Sequence, residues 1–218
     1  MASSQEPAWH ALAHDSATPP ELRVAICALL PTSGTHNRIP LTRALAADPA
    51  VSLSVRAKAA ALLAEDLGEE GRSILRALAG PRTTDPEAHL AVAAAWDGLE
   101  VGDEAVACYR RVLESDAATA GQRVRAAEGL AAYRPVRNLA GQALETVLAD
   151  HRAAVPARID AAQALLSLGE TAEAHLGLFR LARETGPTDA ERERILDLLP
   201  PDLRACAPAR TPGPAPHP

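Results

Sequence analysis

The sequence predicts an all-α fold built from about five helix-turn-helix repeats. Three observations lead to this prediction. Ala and Leu, which favour helices, number 49 and 29 among the 218 residues. Aromatic residues, which favour strands, make up only 2% of the chain. Similar segments also recur about every 34 residues, which is the period of helical-hairpin arrays. We therefore expect a right-handed α-solenoid with terminal capping helices, whereas an all-β fold is close to excluded and a parallel α/β sheet is disfavoured.

The first helix of each repeat is marked by an apolar anchor residue. A small residue follows three positions later on the same helix face, where it lets a neighbouring helix approach closely. Lys58 stands at that position in the second repeat, which indicates that this register is off by one. The anchors, spaced 33, 35, 34 and 35 residues apart, are Leu22, Val55, Leu90, Val124 and Ile159.

The second helix of each repeat follows an independent pattern with the same period. A small residue is followed by large apolar residues four and seven positions later, all on one helix face. Two patterns with one period make a chance origin improbable. The four sets are Gly71/Leu75/Leu78, Ala105/Tyr109/Val112, Ala140/Leu144/Val147 and Ala174/Leu178/Leu181.

Turn and cap residues support the same division. Thr-x-x-Glu segments beginning at Thr18, Thr84 and Thr188 predict capping boxes that open first helices. Glycines after the first helices, at Gly68, Gly102 and Gly169, predict their C-terminal ends.

The chain then divides into four parts. Residues 1–18 hold an N-terminal capping helix, from Glu6 to His14, and residues 19–188 hold the five repeats. Residues 189–199 hold a C-terminal capping helix, from Glu191 to Leu199. Residues 200–218 form a Pro/Ala-rich tail that we expect to be disordered or extended. The repeats span residues 19–51, 52–84, 85–119, 120–154 and 155–188.

The third and fifth repeats carry a family resemblance. The segment Gly102-Asp-Glu-Ala-Val-Ala-Cys-Tyr-Arg-Arg-Val-Leu-Glu114 resembles the second helix of a tetratricopeptide repeat, and Leu165-Leu-Ser-Leu-Gly-Glu-Thr-Ala-Glu-Ala174 is similar. The first helices, with Val55-Arg-Ala and Val124-Arg-Ala-Ala, look as much like HEAT-type repeats. The resemblance covers about 170 residues and implies a curved face of first helices that binds a protein or peptide.

Certain positions after each anchor lie near the concave side in tetratricopeptide arrays. The arginines among them would bind carboxylates of a partner. Alternatively, the arginines pair with acids of adjacent repeats, such as Glu21, Asp85 or Glu128. The Lys/Asn clamp of chaperone-binding members of this family is absent at these positions, so binding of chaperone C-termini is not implied. The candidate partner-binding residues are Arg23, Arg56, Arg125, Asp97, Glu128 and Gln163.

Charge and targeting signals narrow the function class. The net charge of −6 and pI of about 5.6 argue against a phosphate-binding surface, so no nucleic-acid partner is expected. The N-terminus lacks the features of a signal peptide, and no run approaches 18 apolar residues. The three cysteines, spaced about 80 and 100 residues apart, form neither a disulfide framework nor a zinc motif. We therefore expect a cytoplasmic protein without membrane partners.

No catalytic or cofactor-binding motif is present. His10 and His14 share one face of a helix, but two ligands do not complete a tetrahedral metal site. No catalytic residues, metal site or cofactor are predicted. The prediction is a non-enzymatic interaction scaffold that binds a protein or peptide. The alternative is the sensor or regulatory arm of a bacterial signalling system, acting with a separate ATPase, protease or transcription factor. A nucleic-acid-binding helical repeat is less expected, and the oligomeric state is open.

Overall fold

A computed structural model describes residues 6–80 and 83–206 and shows an all-α protein. This part of the chain holds thirteen α-helices and one short 3-10 helix, Arg134–Val136. The predicted N-terminal helix is confirmed as α1, Glu6–His14. None of the described helices is long and apolar enough to cross a membrane.

Ten of the helices form five consecutive pairs, each made of a first and a second helix. The pairs fall within the five predicted repeat spans. They are α2 (Pro20–Leu29) with α3 (Ile39–Ala47), α4 (Leu53–Leu67) with α5 (Glu69–Leu78), α6 (Pro86–Gly98) with α7 (Gly102–Glu114), α8 (Ala120–Ala131) with α9 (Arg137–Ala149), and α10 (Val155–Leu168) with α11 (Thr171–Ala182).

The helices belong to two compact units that divide between Ala118 and Thr119. Packing within each unit is sequential. In the first unit, α4 contacts α2 and α3 before it, its partner α5, and α6 after it. In the second unit, α10 contacts α8 and α9 before it, its partner α11, and α12 after it. The first helices α4 and α10 are thus covered on both sides, which buries their apolar residues.

Burial corrects the predicted register of the first two pairs. Leu22 is exposed, so it is not a core anchor, and Val24 takes that place. In the second pair the equivalent residue is Ala57, two positions after Val55. The corrected anchors are Val24, Ala57, Leu90, Val124 and Ile159, all of them buried. The small residue three positions later is then fully buried in every pair, at Cys27, Ala60, Ala93, Ala127 and Ala162, and Lys58 moves to an exposed position.

The second helices keep their predicted register. The small residues Gly71, Ala105, Ala140 and Ala174 are all buried, as are the large residues predicted after them. Gly71 marks an especially close approach of α5 to α4, because an added Cβ would collide with the backbone of Ala64 and Ala60. Glycine is therefore required there by packing.

The predicted capping chemistry is confirmed at one of three sites. Thr188 and Glu191 form a reciprocal capping box at the start of α12. The cap of α6 is Asp85 instead of Thr84, because the carboxylate of Asp85 accepts the backbone N–H of Glu87. Thr18 does not cap α2, which begins after Pro19 without a side-chain cap.

The end of the described chain departs from the prediction. A helix, α12 (Asp189–Leu198), lies where the C-terminal capping helix was predicted. The tail was expected to be disordered or extended from residue 200, but Pro201–Ala205 form a short helix, α13. Pro201 fits the first turn of this helix because its missing N–H would have no intrahelical partner there. The rest of the tail, residues 207–218, lies outside the described residues.

Candidate functional site

Two of the candidate partner-binding arginines contact the backbone of the preceding helix. The Nε of Arg23 donates to the carbonyl oxygen of Ala13 at 2.8 Å, and the Nε of Arg56 donates to that of Ala46 at 3.2 Å. Each acceptor lies ten residues earlier, near the C-terminal end of a helix, where carbonyls lack intrahelical partners. These arginines therefore cap helix ends. The hydrogen-bond partner of Arg23 and Arg56 is thus a backbone carbonyl. The alternative prediction had instead paired these arginines with acidic side chains of adjacent repeats.

The same contact recurs in the second unit. Arg158 Nε donates to the carbonyl of Leu148 at 2.9 Å, and Arg192 Nη1 donates to that of Ala182 at 2.7 Å. Both again span ten residues. Arg23, Arg56 and Arg158 stand directly before a buried anchor, and Arg192 stands directly before the equivalent position of α12, the exposed Glu193. We call this contact the arginine seam. The sequence contained a signal for it, namely arginines separated by 33 and 34 residues.

The third candidate arginine, Arg125, does not belong to this series. With the corrected register it follows the anchor Val124, whereas Arg23 and Arg56 precede theirs. Its side chain lies on the exposed face of α8. The three arginines therefore do not form a stripe of equivalent positions, and only Arg125 remains a candidate for partner contact.

Asp97 also serves the fold. The hydroxyl of Tyr109 on α7 donates to its carboxylate, and this hydrogen bond ties the end of α6 to its partner helix. Asp97 is half-buried and lies in the first unit. Glu128 and Gln163 belong to the second unit.

The remaining candidates lie on the exposed faces of first helices in the second unit. Arg125 and Glu128 are on α8, and Asp160 and Gln163 are at the equivalent positions of α10. Since α8 contacts α10, these four exposed residues share one surface. Arg194 on α12 extends it by an ion pair with Asp160 at 3.1 Å. We define the polar face as Arg125, Glu128, Asp160, Gln163 and Arg194.

The surroundings of Glu128, on the polar face, disfavour its charged form. Its pKa is raised above the ordinary value, first because the carboxyl is partly desolvated by packing and second because of the negative charge of Asp160. Arg125 opposes this shift. A carboxylate with such a perturbed pKa at a surface is a candidate contact for a ligand.

A different polar cluster lies in the first unit, where His89 takes the position of the seam arginine. Its Nε2 lies 3.1 Å from the carbonyl of Thr83, while Nδ1 is buried without a hydrogen-bond partner. Arg111 on α7 takes over the arginine's role and donates to the carbonyl of Ala79. A cleft of about 390 Å³ opens between these groups. Burial lowers the pKa of His89, so the imidazole is neutral near pH 7.

Three histidines of the first unit lie close together. The rings of His10 and His14 lie 4.5 Å apart, and the ring of His36 lies 5.0 Å from that of His10. No group of His, Cys, Asp and Glu in residues 6–80 and 83–206 is arranged to hold a metal ion. Burial raises the pKa of both Cys27 and Cys108 to about 11, so their thiols are poor nucleophiles.

Comparison with known proteins adds no assignment: no protein-family model, curated protein or solved structure matches this chain.

Proposed function

We propose that this protein is a non-enzymatic interaction scaffold, a right-handed α-solenoid of the tetratricopeptide or HEAT type that binds a protein or peptide. Two features support this proposal. The helix pairs pack sequentially within each unit, and the same buried positions return every 33 to 35 residues. The arginine seam also repeats with this spacing, as expected where each pair docks on the one before it.

We infer that the polar face is the partner-binding surface. The observation behind this inference is that the fold does not need charges at these positions. In the first unit the equivalents of Glu128 and Gln163 are Ala28, Ala61 and Ala94, and those helices pack in the same way. The packing of the first helices therefore does not require the side chains of Glu128 and Gln163, which leaves recognition as the role we propose for them.

The partner we propose is a protein segment that presents a basic side chain. Glu128 and Asp160 are two acids close enough for the charge of one to raise the pKa of the other. A lysine or arginine placed between them would offset this repulsion and form charge-assisted hydrogen bonds. Binding would then lower the pKa of Glu128, and the association rate would fall as salt is added.

The test is affinity capture from native lysate with three baits. The first is the wild-type chain, and the second carries Glu128→Ala with Gln163→Ala, which restores the residue type found in the first unit. The third is a matched control with Gln142→Ala and Glu145→Ala, which removes the same side-chain types from exposed positions of α9. All three should show the same helical circular dichroism.

We expect the wild type and the α9 control to capture the same protein and the polar-face variant to lose it. Equal capture by all three folded baits would remove the polar face from the binding site. Capture that is independent of salt would contradict the basic partner.

A further inference from the structure

Three histidines meet where α1 docks within the first unit. His10 and His14 lie one turn apart on α1, and their ring centroids are 4.5 Å apart. His36 belongs to the loop between α2 and α3, and its ring lies 5.0 Å from that of His10 in an edge-on arrangement. We call these three residues the histidine cluster. Its contact between His10 and His36 joins α1 to a loop that follows the next helix of the chain.

Few buried contacts hold α1 in place. Among residues 8–14 only Ala13 is buried, whereas α3, a helix of the same length, buries four residues. The carbonyl of Ala13 accepts the seam hydrogen bond from Arg23 on α2. A helix with so few buried residues belongs to the least stable part of a fold. A change of charge at the histidine cluster can therefore decide whether α1 stays docked.

Two features disfavour a protonated cluster while α1 is docked. The pKa of His10 is lowered below its ordinary value of 6.5, first because burial desolvates the ring and second because the charges of His14 and His36 repel an added proton. Nδ1 of His36 is buried without a hydrogen-bond partner, so a protonated ring would leave an N–H there without an acceptor. The docked arrangement therefore favours neutral imidazoles.

The charged groups around the cluster do not reverse this preference. Asp15 follows α1 directly, but its Oδ1 accepts a backbone N–H two residues later at 2.9 Å. On α2, Glu21 is exposed and Arg23 is a further cation. Arg38, at the end of the loop, is bound through two nitrogen atoms to the carboxylate of Asp66. In the part of the chain that the structure describes, none of the three imidazoles is paired with an acid.

We propose that the histidine cluster is a pH-sensitive latch, which holds α1 on α2 and the α2–α3 loop while the imidazoles are neutral and releases it when they are protonated. In the released helix an imidazole is surrounded by water, where its ordinary pKa is about 6.5. Protons therefore bind the released state more tightly than the docked state, and docking weakens as the pH falls below about 6.5. Release breaks the hydrogen bond between Arg23 and Ala13 and uncovers the side of α2 that α1 contacts. The latch belongs to the first unit, whereas the polar face belongs to the second.

The experiment measures amide hydrogen exchange of the full-length chain by mass spectrometry at about pH 7.5 and about pH 5.5, with rates corrected for the intrinsic effect of pH. We expect the protection factors of α1 to fall on the order of tenfold in acid, since one pKa unit between the docked and released states changes the docking equilibrium tenfold. The helix α10, which contains no histidine, should keep its protection. The readout has to be local, because burial lowers the pKa of His89 as well.

Variants separate the cluster from other histidines. His10→Gln with His36→Gln removes both titrating rings of the contact between α1 and the loop, so the protection of α1 should become nearly independent of pH. The matched control is His175→Gln, which replaces a histidine of α11 in the second unit and should lose protection in α1 as the wild type does.

A third variant decides the question if the double variant docks α1 poorly at both pH values. His14 is exposed, so His14→Gln leaves the packing unchanged and should recover part of the protection that the wild type loses in acid. An acid loss equal to that of the wild type, in this variant or in a well-docked double variant, would overturn the latch. So would a wild type whose α1 is equally protected at both pH values, or an equal acid loss in α10, which would indicate unfolding of the whole chain.

Discussion

The helix pairs α6–α7 and α10–α11 are built alike but close their seams with different residues. In α10 the guanidinium of Arg158 binds the Leu148 carbonyl and, through both terminal nitrogens, the carboxylate of Glu184 at 2.6 and 2.8 Å. In α6 the equivalent residue is His89, and Arg111 reaches the Ala79 carbonyl from the second helix. The orphan carbonyl at the end of the preceding helix thus has to be satisfied, and the sequence position that supplies the donor is free to change.

The difference also changes what surrounds the donor. Arg158 is buried and fully engaged, and the pKa of Glu184 is lowered, chiefly by its hydrogen bonds to Arg158. His89 is equally buried but neutral, with one ring nitrogen lacking a hydrogen-bond partner and a cleft beside it. Charged hydrogen bonds of Arg158 therefore stabilise the seam at α10. The seam at α6 contains an imidazole of which one ring nitrogen has no hydrogen-bond partner.

The largest expected effect follows from removing the guanidinium of the α10 seam. Arg158→Ala leaves the Leu148 carbonyl without its donor and Glu184 without its bidentate partner. We expect the free energy of unfolding to fall by about 2–3 kcal/mol, as for a lost set of charged hydrogen bonds. Urea denaturation followed by circular dichroism measures this loss. Arg194→Ala breaks only an exposed ion pair and should cost less than about 1 kcal/mol. Equal losses in the two variants would refute a special role of the seam.

The sequence predicted the helix pairs but not these seams. The five pairs, their boundaries and the buried second helices followed from the 34-residue period, because large apolar residues on those helices leave one register. The first helices are rich in alanine, and an alanine-rich helix can bury several of its faces equally well. The predicted registers of α2 and α4 were therefore each wrong by two residues. Lys58, which the predicted register placed in the core, had correctly indicated that the register of α4 was wrong.

The candidate site was predicted in part for the same reason. Arg23 and Arg56 were assigned to the concave face because the register was shifted, and a contact with a backbone carbonyl has no side-chain partner that a sequence pattern could reveal. Glu128, Gln163 and Arg125 are exposed, as expected from the correct anchors Val124 and Ile159, and their contact with a partner stays a prediction. At the α6 seam the donor to the preceding carbonyl is Arg111 instead of the residue at position 89. These two positions are 22 residues apart, so neither residue alone predicts this substitution of one donor for the other.

The next largest effect on stability concerns which residue donates to the Ala79 carbonyl at the α6 seam. His89→Arg alone should destabilise the protein by about 1–2 kcal/mol, because a guanidinium buried at position 89 would compete with the exposed residue Arg111 for one carbonyl. In an Arg111→Ala background the same substitution should instead recover stability, because the new arginine restores the contact seen in α10. A double-mutant cycle in urea measures this coupling. Additive effects would show that the two residues do not serve the same carbonyl.

On acidification, the seams at α6 and α10 should lose their contributions to stability in different pH ranges. Burial lowers the pKa of His89 below 6.5, so the unfolded chain binds a proton that the folded chain does not, and stability falls as pH drops below about 6.5. The pKa of Glu184 is lowered from 4.5, so its contribution is present above that value and is lost only at lower pH.

The measurement is the urea midpoint of the wild type and His89→Gln at about pH 7 and about pH 5.5. We expect the variant to lose less stability on acidification than the wild type. His10 also has a lowered pKa, so the difference between the two proteins, and not the wild-type curve alone, isolates His89. Identical acid sensitivity would contradict the neutral buried imidazole.

The smallest effect comes from the turns that end α6 and α10. The two turns make equivalent backbone hydrogen bonds: Val101 N–H donates to the Trp96 carbonyl, and Glu170 N–H donates to the Leu165 carbonyl, each at 3.0 Å. The residue with positive φ is Gly169 in α10–α11, with φ of 84°, but Glu100 in α6–α7, with φ of 59°. A side chain in this conformation is strained, whereas glycine adopts it readily.

Glu100→Gly should therefore stabilise the protein by about 0.5–1 kcal/mol, the relief of strain exceeding the extra entropy of glycine in the unfolded chain. The reciprocal Gly169→Ala should destabilise it by a similar amount. A Cβ at Gly169 meets no atom within 4 Å, so its cost is conformational strain and not a clash. Both changes are measured by urea denaturation at pH 7. If Glu100→Gly lowered the stability, the glutamate would be retained for a contact of its side chain and the two turns would not be equivalent in energy.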